Sequence, residues 1–190
     1  MFTKQQVLDS FESTQKLPKE EMTEQFALLL KKQEAALSFV VANVEQYQLS
    51  GNTKNAAAEL IFYIFKLYES KGLELALEEK YIADALISMD VDAKEIEKDL
   101  GGLSEEDIQV LNEAIESGNS DKLEGKPKAI LEAIQKKKQK VSQPYLLEVV
   151  SSYVASDELI IEKEKSFVFS IAETLIEAIQ AHAKEHLTQV

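Results

Sequence analysis

The chain has 190 residues, 45% of them hydrophobic, and sets 21 Lys against 34 acidic residues for a formal net charge of −13, with no Arg and no Cys. An acidic chain without Arg argues against phosphate-gripping nucleic-acid binding and against arginine-finger chemistry. The lack of Cys excludes disulfides, thiolate metal sites and Cys nucleophiles. Ala, Leu, Glu, Lys and Gln dominate over six Gly and three Pro. The expected fold class is therefore all-α, a helical bundle of about seven to nine helices.

In chain order, Thr3 followed by Gln6 reads as a capping box, opening a short amphipathic helix to Gln15. Pro18 suits the first turn of a long helix over 18–48, with Met22, Phe26, Leu29, Leu30, Leu37, Val40, Val41, Val44 and Tyr47 as its apolar line. "SGNT" at 50–53 is a turn with a cap. Residues 54–71 hold "LIFYIF" and are apolar round most of the circumference, so this is the expected central helix, with Gly72 as its stop.

A helix over 77–89 faces Tyr81, Ile82, Ala85, Leu86 and Met89 inward. Asp92 with Glu95 resembles the cap of a separate short helix, and Ser104 with Asp107 caps another, carrying Ile108, Leu111 and Ile115 inward. Pro127 starts a helix that Pro144 kinks or restarts. A final helix spans 159–186. The stretch 60–65 is too short to span a bilayer, and the N-terminus has no long apolar run of the signal-peptide kind. A soluble, cytoplasmic protein with neither membrane nor nucleic acid as partner is the expectation.

Sliding the sequence by 110 aligns Gln33, Leu37, Val40 and Val44 with Gln143, Leu147, Val150 and Val154. A small gap then brings Phe62 and Ile64 onto Phe169 and Ile171. This pattern suggests an internal repeat, two halves 1–100 and 104–190 sharing one core in a single domain 1–190. Helical periodicity alone supplies most of the matches. Gln33 sits on an apolar line, and a buried amide needs partners. It is either a polar anchor in a groove with Gln143 and Tyr63, or a tie for backbone at a helix kink.

Both histidines lie in "HAKEH", and the spacing of His182, Glu185 and His186 resembles the H-x-x-E-H pattern of inverted zincin peptidases. That resemblance implies two His ligands and a water-activating Glu, with a further carboxylate downstream. Only four residues follow His186, so a third ligand has to come from upstream. The expectation is an exposed last turn, with His182 and His186 as the candidate ligands should a metal bind. Three residues before each His there is no carboxylate, which excludes the ferritin-like Glu-x-x-His set. "DVDAKE" has Lys94 and Glu95 where a calcium loop needs an oxygen ligand and Gly. No phosphate-binding glycine loop or nucleophile elbow is present. Adjacent carboxylates such as Glu78 and Glu79 read as solvated faces.

The one basic island, 126–140, offers Lys136, Lys137, Lys138 and Lys140 as a patch for an acidic partner or a second copy of the chain. With no catalytic, cofactor or metal constellation identified, the leading expectation is a non-enzymatic protein acting through protein–protein contact, a homodimer included. The rival is a small-molecule or metal-binding protein with a pocket between apolar helices. An enclosed pocket bearing Gln33 or Tyr63 would favour the rival, and a closed core with a large apolar surface patch the interaction reading.

Overall fold

The structure, a computed structural model, describes residues 2–73, 76–101, 103–117, 123–140 and 143–187. Among them every regular element is a helix. These are α1 Lys4–Gln15, α2 Lys19–Lys32, α3 Glu34–Gln46, α4 Gly51–Glu69, α5 Glu79–Leu100, α6 Glu105–Ser117, α7 Gly125–Lys140, α8 Pro144–Ser156 and α9 Lys165–Leu187. A single 3-10 turn, Glu162–Glu164, precedes α9. The all-α class is as expected. No helix among the described residues is long and apolar enough to cross a membrane.

Packing divides the chain into two compact units, Met1–Leu86 with Tyr145–Val190, and Ile87–Pro144. The halves 1–100 and 104–190 are a different cut, made by sequence similarity. Within the first unit α4 is the core helix. Leu60 through Phe65, Leu67 and Tyr68 are all buried, and Lys66 alone of this stretch is partly exposed. Its aromatic rings show why. Tyr68 meets Phe2 edge-on at 5.0 Å, Tyr63 packs on Phe11 and on Tyr153 of α8, and Phe62 meets Phe26 of α2 edge-on at 5.7 Å. Full burial of a Phe ring such as Phe62 is worth about 1.5–3 kcal/mol. Gln180 of α9 donates to the Tyr68 hydroxyl oxygen (2.8 Å), giving that buried oxygen a polar partner.

The starts of α4 and α9 are tied by polar groups. Ser50 caps α4, its Oγ accepting from the Thr53 N–H. The buried Thr53 hydroxyl accepts from the Ile161 N–H (3.3 Å), and the buried Glu164 carboxylate accepts from the Ser50 N–H (3.2 and 3.3 Å). Hydrogen bonding to the Thr53 hydroxyl, with Ser50 adding to it, holds the Glu164 carboxyl below its ordinary range against the opposing effect of burial. In the second unit Leu111, Ala114, Leu123, Ile130 and Leu131 form a small core of their own, with Leu103 and Val110 against it. Ile108 is exposed rather than inward.

Local caps sit where the sequence puts them. Thr3 and Gln6 make the full capping box, and Ser104 and Asp107 exchange the equivalent bonds at α6. Other expectations change. Leu86, expected to face inward, is exposed, and the final helix begins at Lys165 rather than 159. The long helix over 18–48 is broken at Gln33, whose backbone (φ −116°, ψ 49°) leaves the helical region between α2 and α3. Its apolar line shifts as well, since α3 buries Ala36, Val40 and Val44 and leaves Leu37, Val41 and Tyr47 exposed. Finally, α5 runs unbroken through 92–95, so the local capping signal there yields to helix continuation.

Candidate functional site

The last turns of α9 and the residue before α5 converge on one cluster, all within the first unit. Two His four residues apart share a helix face. Their rings meet edge-on, with centroids 4.5 Å apart. Glu78 reaches both: its Oε1 lies 3.6 Å from His182 Nε2 and 3.9 Å from His186 Nε2. One ligand atom from each of the three residues lies within 4.8 Å of the others.

The expected exposed last turn is half right. His186 is exposed, but His182 is only 4% exposed, because Tyr81 from the first turn of α5 stacks on its ring at 4.4 Å and 15°. Burial lowers the basicity of His182, and the neighbouring His186 lowers it further. A neutral imidazole keeps a lone pair for a metal or a donor. Among the described residues His182 Nδ1 is buried without a hydrogen-bond partner, and Nε2 stands beyond ordinary hydrogen-bond reach of Glu78.

Lys80 and Glu185 frame the cluster. Lys80 Nζ lies 3.5 Å from Glu78 Oε2, 4.6 Å from the Tyr81 ring centroid and 3.9 Å from Glu185 Oε1. Lys80 faces one oxygen of Glu78 while the other faces the histidines. Glu185 accepts from the Tyr81 hydroxyl (2.7 Å). That hydrogen bond, with Lys80 beside it, holds the Glu185 carboxyl below its ordinary range. Glu185 is thus spent on orienting Tyr81, which leaves it poorly suited to the water-activating role that H-x-x-E-H implies.

A second feature of the same unit is an open apolar groove between α2, α3 and α4, with a cavity of about 40 Å³. Phe26, Leu29, Leu30, Leu37, Ile61 and Phe65 are among its walls, and Gln33 is its one amide. On the same measure a water occupies about 10–15 Å³, so the cavity admits an apolar side chain rather than a cofactor. Gln33 Oε1 accepts from the buried Leu77 N–H (2.9 Å), which commits it to backbone.

The other sequence-picked residues lie elsewhere. Tyr63 is outside this groove, against Phe11 and Tyr153, its hydroxyl donating to Glu59 and pushed up in pKa by burial and by that carboxylate. Gln143 is buried one residue before α8. The side chains of Lys136, Lys137, Lys138 and Lys140 lie outside the described residues. Glu78 is the residue that sequence reading passed over as a solvated carboxylate. No local signal marks it, since its partners sit at the far end of the chain. No protein-family model, curated protein or solved structure matches this chain.

Proposed function

We propose that the protein acts by protein–protein contact, with the α2–α3–α4 groove receiving an apolar side chain of an amphipathic helix on a basic partner. The observation that carries this reading is the exposed pair Leu37 and Val41. They stand one turn apart on α3, and Leu37 also forms the groove wall. A large apolar pair left in water beside an open apolar slot fits the helix-in-groove mode of recognition. The basic character of the partner rests on charge, since 21 acidic residues stand against 12 lysines in residues 1–86 and 145–190. A polar small molecule suits the groove less well, because its one amide oxygen already holds Leu77.

The test is native purification of the untagged chain beside the double variant Leu37→Lys, Val41→Lys, with a photo-crosslinking residue placed at Leu30. The wild-type groove is expected to cross-link a basic protein at one-to-one stoichiometry, and the double variant to lose it. Its melting curve should stay unchanged, because exposed substitutions cost about 0.5 kcal/mol or less. A metabolite retained at one-to-one ratio by the wild type and lost by the variant would overturn the reading. So would a cross-link only to a second copy, with a concentration-dependent dimer in sedimentation.

A further inference from the structure

We propose that Glu78, His182 and His186 form a site for a first-row divalent metal ion of the zinc type, with one coordination position left to water or an outside ligand. Two imidazoles and one carboxylate are the donor set that zinc accepts in three-ligand sites. Calcium and magnesium prefer all-oxygen shells.

The distances fit once the two exposed side chains close in. Two ligands about 2.0–2.1 Å from a tetrahedral ion stand about 3.3 Å apart. The two Glu78–His distances, 3.6 and 3.9 Å, need to contract by about 0.3–0.6 Å, and the three donor atoms, spread over up to 4.8 Å, by as much as about 1.5 Å. Glu78 and His186 are half-exposed and free to move by that much, while His182 is the fixed member. Tyr81 clamps the His182 ring flat, and the ring's orientation is therefore set before an ion arrives.

The second ring nitrogen of His182 bears on the affinity. Among the described residues Nδ1 is buried without a hydrogen-bond partner, and an ion on Nε2, the nitrogen that faces Glu78, leaves it so. Nδ1 keeps its proton without an acceptor, so the site lacks the outer hydrogen bond that strengthens many zinc histidines. Lys80 adds a nearby positive charge. Both features weaken the site, the missing outer bond by about 10–100-fold relative to a fully supported one.

Gln33 enters as a positioning residue. Its bond to the Leu77 N–H pins the backbone one residue before Glu78, and thereby aims the carboxylate at α9. The bound ion fastens the last turns of α9 to the start of α5, and Glu185 is turned away on Tyr81. The site is one of binding and cross-linking rather than hydrolysis.

The test uses full-length chain without a polyhistidine tag. Calorimetric titration with Zn²⁺ should give one ion per chain. Glu78→Gln and His186→Ala, both at half-exposed positions, should each weaken it about tenfold or more, with helical circular dichroism unchanged. Mg²⁺ should give no heat. Co²⁺ on the wild-type chain should give the strong visible absorption of four- or five-fold nitrogen and oxygen coordination, independently of any variant. Zinc binding that survives Glu78→Gln at full strength would sink the proposal, leaving an adventitious His pair. A weak octahedral Co²⁺ spectrum would do the same.

Discussion

Gln33 at the α2–α3 break and His182 near the end of α9 are both polar side chains buried in one helical unit, 6% and 4% exposed. The fold treats them in opposite ways. Gln33 is answered from within the chain, its amide oxygen holding the Leu77 N–H. His182 is held by stacking on Tyr81, and Nδ1 has no answer among the described residues. A buried polar group with its partners supplied serves structure; His182 instead keeps Nδ1 unsatisfied while its Nε2 faces Glu78 and the proposed ion. The two regions also touch in sequence, because Leu77 is followed by Glu78.

The largest expected effect is on the answered group. Gln33→Leu keeps the volume roughly constant but leaves the buried Leu77 N–H without an acceptor. Urea denaturation should show a loss of about 1–3 kcal/mol. The same variant should weaken Zn²⁺ binding, since the backbone that aims Glu78 is released. A variant as stable as the parent, with unchanged zinc affinity, would show that another group holds Leu77 and would dissolve the link between the two regions.

The unanswered group should respond with the opposite sign. His182→Phe removes the orphaned nitrogen and retains an aromatic ring for Tyr81 to stack on. In metal-free buffer the variant should be more stable by about 1 kcal/mol, the low end of what an unpaired buried polar group costs. Zinc binding should be lost. A gain in stability with a loss of binding is the mark of a functional residue held at a cost to the fold. A clear destabilisation without metal would mean that a bound water satisfies Nδ1.

How much of this was readable in the sequence follows from range. The capping pairs Thr3–Gln6 and Ser104–Asp107 act over three residues, and both are found where the sequence has them. The central helix was legible from "LIFYIF", because apolar residues on every face leave a helix nowhere to sit but the core. The α2–α3 break was half legible: Gln33 stood out on an apolar line, but its partner Leu77 lies far along the chain. Large apolar residues misled at α3, where the tightly packed line uses Ala36 and leaves Leu37 in water. The histidine spacing was visible and Glu78 was not, since a tertiary approach between the two ends of a unit has no local signature.

A third buried polar group tests whether answered groups share one behaviour. Glu164 is buried with the Ser50 N–H and the Thr53 hydroxyl beside it, and its carboxyl titrates below the ordinary 4.5. A carboxyl depressed on folding contributes stability that is fully present above its unfolded pKa. That contribution is lost as pH falls through the lower folded value. Glu164→Gln keeps an acceptor oxygen but removes the charge. The parent should therefore exceed the variant in stability by a constant margin from neutral pH down to about pH 5. The margin should narrow below pH 4.5 and close once the folded carboxyl is protonated. Denaturant midpoints for both proteins between pH 7 and pH 3 read this directly. A margin independent of pH would mean that shape and hydrogen bonding, rather than charge, join the starts of α4 and α9.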